Sequence, residues 1–391
     1  MSSVLFRGGR IITATGIFDG EVLTKDGVIC EVSLGGKVSG EAEQVINLEG
    51  KYLSPGFIDI HTHGAGGADF MDRTAGSMEQ ACKMHLKHGT TSIVPTTLTS
   101  TKEDLLDFLR FFNTVELKRD AMPEILGLHL EGPYFAESQK GAQDPKYLRN
   151  PDPEEYMEAL SCTDRIIRWS FAVELPGADE FLKALREHHI ISSLAHSDAD
   201  CSQVMSAYEN GISALTHFYS CMTGVVRKNA YRVAGAIEAG YLLDDLYVEA
   251  IADGCHLPDH LLSLIYKIKG ADRICLVTDS MRAAGLPDGE YLLGSLDGGQ
   301  KCIVEDGVAK LPDRSAFAGS VATMDRLVRT FRKLTEAPLY EVVKMASLTP
   351  AKLLGIADRK GSIAIGKDAD LLVFDENIQI ETIMVRGTLV S

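Results

Sequence analysis

The chain lacks any apolar run approaching the ~20 residues of a membrane span. Residues 1–10 also lack a basic region leading into an apolar core, so no signal peptide is expected. Eight cysteines are scattered without a CxxC pair, which disfavours both a disulfide framework and a zinc ribbon. Reduced thiols in the cytoplasm suit that pattern. A formal net charge of −16 leaves no basic surplus for nucleic acid or an anionic membrane. It also means that an anionic metabolite needs local cationic groups to bind. No GxGxxG follows the first buried strand, and no internal repeat of 20–50 residues stands out.

What remains is a chain of 391 residues with 45% hydrophobic and 24% charged residues, an ordinary composition able to bury a large core. The length fits a barrel of about 250 residues plus a smaller unit. Residues 1–54 read as short strands punctuated by Gly and Asp, and 357–391 return to that style. Neither end buries a face alone, so the two are expected to form one small β-sandwich domain. Between them, over 55–356, β-rich runs alternate with helical patterns. Eight such runs occur, at 57–63, 91–98, 124–131, 166–175, 190–196, 214–219, 246–255 and 273–279. Eight βα units in series predict an α/β fold built on a (β/α)8 TIM-like barrel, with a doubly wound sheet as the alternative. A long insertion, 281–317, follows the eighth strand.

The stretch Pro55-Gly56-Phe57-Ile58-Asp59-Ile60-His61-Thr62-His63 organises the site. Residues two apart on a strand share a face, so His61 and His63 point the same way, as two ligands of one metal do. Alone, the pair reads more readily as two solvated or hydrogen-bonded histidines, so it needs partners elsewhere in the chain. In a barrel enzyme, however, chemistry sits at the carboxyl ends of the strands. Glu131, His196, His217 and Asp279 end the third, fifth, sixth and eighth runs. Six metal-competent side chains at one end predict a metal site, and imidazole with carboxylate suits Zn, Fe or a similar divalent ion. An ion there lowers the pKa of water and polarises a carbonyl, and Asp279 is placed to move the proton. The plainer role for Asp279 is a helix N-cap. His129 is expected behind Glu131, His85 and His88 on the solvent side of an outer helix, and His260 on the surface. His188-His189 ends a helix, where a cation complements the dipole. His256, after the seventh strand, is a candidate for substrate contact, and Arg227, Lys228 and Arg232 are candidates for an anion.

These motifs resemble the amidohydrolase superfamily. Gly127-Leu128-His129-Leu130-Glu131-Gly132-Pro133-Tyr134, Lys140-Gly141-Ala142-Gln143, Thr216-His217-Phe218-Tyr219, Ile251-Ala252-Asp253-Gly254-Cys255-His256, Leu276-Val277-Thr278-Asp279 and Gly319-Ser320 are similar to those of its N-acetylglucosamine-6-phosphate deacetylase family. The likeness spans nearly the whole chain. It implies removal of the N-acetyl group of a 6-phosphorylated amino sugar, leaving acetate and a free amine. It assigns the main metal to Glu131, His196 and His217, a second to His61 and His63, and general acid–base work to Asp279. Ala142, Gln143, Ser220, Cys221, Asp253, Gly254, Cys255, His256, Phe317, Ala318 and Gly319 fall on substrate-contact positions. An arginine near Arg227 is implied for the phosphate, in that family often across a homodimer interface.

The sequence departs from the family at three places. Ser220-Cys221 replaces a common asparagine, the following segment lacks Arg-Glu-Pro-Gly, and Gln143 stands where some members have histidine. Each bears on substrate preference more than on reaction type, so the 4-epimer, N-acetylgalactosamine 6-phosphate, stays open. Two other readings compete: an amidohydrolase acting on a cyclic amide or another N-acyl compound, and a non-catalytic barrel. The complete ligand set disfavours the last.

Overall fold

The computed structural model describes residues 3–117 and 121–390. Eight parallel strands form the centre: Phe57–Thr62, Thr90–Pro95, Leu128–Glu131, Ile166–Phe171, Ile191–Leu194, Ile212–Leu215, Tyr247–Ala250 and Ile274–Leu276. Each pairs in parallel with the next from the third strand to the eighth. The first pairs with the second, and a bridge between Thr96 and His129 joins the second to the third. The Asp279 N–H donates to the His61 carbonyl at 2.9 Å, which brings the eighth strand back to the first. The sheet therefore curls until its ends meet, as in a (β/α)8 barrel.

A helix follows every strand, beginning with Ala75–Lys87 and ending with Met324–Thr335. The sequence sets their starts. Thr101 accepts from the Asp104 N–H, with Glu103 and Asp104 in the positive first turn. Asp200 and Gln203 form a capping box. Leu105, Leu106, Phe108, Leu109 and Phe112 make one buried stripe on Lys102–Thr114. Burying such a stripe contributes roughly 1.5–3 kcal/mol per large side chain.

The chain ends meet in one mixed sheet. Its order runs Thr388–Val390, Ile380–Val385, Leu371–Phe374, Tyr52–Pro55, Ser3–Ile12, Ile17–Lys25 and Val28–Leu34, with Gln44–Asn47 beside Ser3–Ile12. Val4, Phe6, Ile11, Val22, Leu53, Leu371, Val373 and Met384 form its own core. The insertion at 281–317 folds into an antiparallel three-stranded sheet, Gly289–Leu293, Gln300–Glu305 and Val308–Lys310. No helix among the described residues is long and apolar enough to cross a membrane.

Candidate metal centre

His61, His63, Glu131, His196, His217 and Asp279 meet at the carboxyl end of the barrel, and all are buried. They fall into two triads. The nitrogen or oxygen atoms of His61, His63 and Asp279 lie within 4.8 Å of one another, and so do those of Glu131, His196 and His217. Glu131 joins the groups. Its Oε1 lies 3.0 Å from His217 Nε2 and 3.6 Å from both His196 Nε2 and His61 Nε2. Its Oε2 lies 3.4 Å from His63 Nε2. Asp279 Oδ1 is 3.1 Å from His63 Nε2 and 3.4 Å from His61 Nε2.

The backbone bends to bring them there. His196, His217 and Asp279 have φ of 46°, 32° and 44°, in the left-handed region that residues other than glycine rarely adopt. Each such residue costs on the order of 1–3 kcal/mol, and sites of chemistry are where such strain collects.

The donor chemistry fits a divalent cation. His196 Nδ1 lies 2.8 Å from the Gln139 carbonyl, an acceptor only, so Nδ1 carries the proton and Nε2 keeps its lone pair. His61 Nδ1 lies 3.0 Å from Glu249 Oε2 and is fixed the same way. The His61 Nε2 left over is buried without a hydrogen-bond partner, and the Nε2 atoms of His196 and His217 stand 3.2 Å apart. Converging lone pairs beside two carboxylates are what a cation stabilises. In the metal-free chain burial opposes the charged imidazolium of His63, yet hydrogen bonds to Asp279 and Glu131 lift it to about 9. Burial likewise opposes ionisation of Asp279, but the neighbouring His61 and His63 hold its carboxyl below the usual range.

Above the triads is an open cavity. Of the residues expected at the substrate, Ala142, Gln143, Ser220, Cys221, His256, Phe317 and Gly319 line it. Asp253, Gly254, Cys255 and Ala318 do not, although Asp253 accepts from His256 Nδ1 at 2.8 Å and so orients that ring. Phe317 packs on the same ring, with centroids 4.8 Å apart. Gly141 has φ of 54°, in the left-handed region that favours glycine, and a Cβ there would fall 2.6 Å from Cys221 Sγ. Gln143 Oε1 accepts from the Thr99 N–H and hydroxyl at 3.1 and 2.7 Å, turning its amide to donate to Glu131 Oε2 at 3.1 Å. Arg227, Lys228 and Arg232 lie outside this wall, on the exposed hairpin of Val226–Lys228 and Tyr231–Val233.

One expectation needs correcting. His85 does not face solvent: it is fully buried, its Nε2 2.9 Å from the Thr62 hydroxyl, and burial pushes its pKa down to about 4. Its helix packs that face against the first strand. His88, partly exposed, pairs with Asp325 at 3.2 Å. His129 lies behind the centre as expected, buried and 2.6 Å from the Ser170 hydroxyl. Sequence reading missed Leu98, Leu293 and Ala316 in the cavity wall, and the buried pair Arg168–Glu249 beneath the triads. The signal for that pair was a charged residue within each of two apolar strand runs.

A parallel barrel carrying histidine and carboxylate ligands at its carboxyl end defines a metal-dependent hydrolase architecture. Residues 52–390 match the amidohydrolase family, and the chain belongs to it. It is 34% identical over 390 residues to an N-acetylglucosamine-6-phosphate deacetylase of Lysinibacillus sphaericus, covering 99% of this chain and 97% of that protein. It is 31% identical over 393 residues to an N-acetylgalactosamine-6-phosphate deacetylase of Escherichia coli O157:H7, covering all of both. Among solved structures, the N-acetylglucosamine-6-phosphate deacetylase of Thermotoga maritima superposes with a TM-score of 0.86 at 32% identity, over 98% of this chain and 99% of that one.

Proposed function

We propose that this protein hydrolyses the N-acetyl group of N-acetylglucosamine 6-phosphate, yielding glucosamine 6-phosphate and acetate in amino-sugar breakdown. What carries the reading is full-length similarity to enzymes named for that activity, in a chain whose two ligand triads meet at one glutamate. Glu131, His196 and His217 would hold the main ion, and His61 and His63 with Asp279 a second, so the centre would take one or two ions of zinc or iron. An ion so held would polarise the amide carbonyl and make water easier to deprotonate near neutral pH.

The chain's own groups do the rest. Asp279 takes one proton from water as the water oxygen bonds to the acetyl carbon. The same proton passes to the amide nitrogen as the C–N bond breaks, so the amine leaves neutral. The second water proton stays with the acetic acid and goes to solvent as acetate forms. Gln143, held by Thr99, offers a neutral N–H to the carbonyl oxygen. His256, Ser220, Cys221, Ala142, Phe317 and Gly319 bound the sugar, with the turn at Asp253, Gly254 and Cys255 and the chain at Ala318 behind them. Arg227, or its neighbours Lys228 and Arg232, binds the phosphate. An exposed hairpin bearing Tyr231, 78% exposed, fits a homodimer in which it reaches a partner's site. The catalytic barrel is read as 55–356, with 1–54 and 357–391 as a small β-sandwich module. Eight free cysteines fit a cytoplasmic setting.

The E. coli relative's activity favours one second reading, the galacto epimer, for which Ser220-Cys221 is the nearest departure. Acetate release from N-acetylglucosamine 6-phosphate, N-acetylgalactosamine 6-phosphate and unphosphorylated N-acetylglucosamine, with bound metal measured alongside, decides between them. The gluco 6-phosphate is expected to turn over fastest. Equal rates with and without the phosphate overturn the sugar-phosphate reading, and a metal-bearing chain that turns over none of the three points to another amide.

A further inference from the structure

We propose that Glu249 is the positioning residue that makes the centre a two-ion one, by fixing the tautomer of His61. The inference rests on the reading above that both triads hold ions. Glu249 lies inside the barrel on Tyr247–Ala250, fully buried. Its two oxygens have different partners. Oε1 takes the Arg168 guanidinium, which also donates to the Ser193 and Thr216 hydroxyls at 2.9 and 3.0 Å. Oε2 accepts from His61 Nδ1 at 3.0 Å and from the His217 backbone N–H at 2.9 Å. One carboxylate thus touches a member of each triad.

The consequences for the two ligands differ. For His217 the contact is through the backbone, and the ring remains oriented by Glu131 and His196. For His61 the contact is to the ring itself. A carboxylate at Nδ1 leaves Nε2 unprotonated, turned towards His63, Asp279 and Glu131, and raises its basicity as a ligand. Among the described residues no other hydrogen-bond partner of His61 Nδ1 is recorded. Arg168 keeps Glu249 ionised and stationary, so the pair acts as a rigid strut under the second ion.

A glutamine at 249 has one acceptor oxygen where two are needed. Arg168 carries donors only, so the amide oxygen turns to it and the NH₂ faces His61. His61 must then accept at Nδ1 and carry its proton on Nε2, where it blocks the ion. The test titrates the metal-stripped whole chain with Zn²⁺ against a chromophoric chelator, and counts retained ions by elemental analysis. Wild type is expected to take two ions. Glu249→Gln is expected to bind the second about 10–100-fold more weakly, with the first weakened less, because His217 loses only the acceptor of its backbone N–H. Should Glu249→Gln fail to fold, the paired variant R168M/E249L removes both buried charges together, a change that proteins often tolerate. It is expected to show the same selective loss. Folded variants that take two ions with wild-type affinities, or that lose both equally, overturn the assignment alone. A wild-type chain that takes fewer than two ions overturns it together with the two-ion reading.

Discussion

The barrel carries a cluster of charge at each end, and the two are built in opposite ways. At the amino end Lys360 is buried, yet its ammonium meets Asp370, Glu124 Oε2 at 2.9 Å and Asp368 Oδ2 at 3.0 Å. Arg359 closes the same group from the other side, on Glu124 at 2.9 Å and Asp368 at 2.8 Å. Three donors of one ammonium thus find three acceptors. At the carboxyl end, four imidazoles converge with two carboxylates, and His61 Nε2 has no hydrogen-bond partner among the described residues. A buried charge is tolerated when its partner is in the chain. The carboxyl-end cluster leaves its partner to be supplied, and that incompleteness distinguishes a site from a strut.

The sharpest way to test the contrast is to remove what only one cluster needs. Stripping with a chelator is expected to reduce acetate release to background, with recovery on adding back Zn²⁺ or Fe²⁺. Retained turnover in verified metal-free protein breaks the comparison. Next in size is Asp279→Asn, which keeps the shape and removes the carboxylate proposed to carry the proton. Turnover is expected to fall on the order of 10²–10⁴-fold, with the circular dichroism spectrum unchanged. A variant keeping most of its activity removes Asp279 from its role.

At the other end the expected loss is of stability. Lys360→Met leaves Asp370 buried with the Arg386 N–H as its remaining recorded hydrogen bond. Breaking a buried pair in this way costs about 3–5 kcal/mol, read from urea unfolding. Metal content and turnover per folded molecule are expected to stay within about twofold of wild type. A variant that lost metal at unchanged stability would erase the distinction between the two ends.

The ligand end was more legible in the sequence than the strut end, for a physical reason. His61, His63, Glu131, His196, His217 and Asp279 close strand runs, and strand ends are marked locally by the switch from apolar to polar residues. The rule that chemistry sits at the carboxyl end then collects them without any knowledge of contacts. Glu124, which opens a two-residue strand, and Lys360 and Asp370, which sit in connecting segments, are separated by up to 246 residues, so only the folded chain brings them together. His85 misled because helix periodicity gives the apolar stripe but not a polar residue's partner inside it, here the Thr62 hydroxyl. Arg168 and Glu249 were invisible as a pair because each is a single charge in a different strand. On Lys102–Thr114 the cap at Thr101 starts the helix several residues before its buried apolar stripe, Leu105 to Phe112, so the hydrophobic pattern marks the helix but not its ends.

The smallest expected effect concerns pH and the strut alone. Burial pushes the Glu124 pKa up, but hydrogen bonds from Arg359 and Lys360 more than offset it and hold the carboxyl at about 2 against an ordinary 4.5. A folded pKa below the unfolded one contributes stability that is fully present above pH 4.5 and is lost as pH falls towards about 2. Other carboxylates titrate in the same range, so the comparison is with Glu124→Gln rather than with wild type at one pH. The stability difference between the two proteins, from urea midpoints at fixed ionic strength, is expected to be constant from pH 7 to about 5. It should then shrink steadily on acidification, because wild type loses what the variant never had. A difference that stays flat to pH 3 would mean that Glu124 is not held by its cations, and that this end of the barrel is no better compensated than the other.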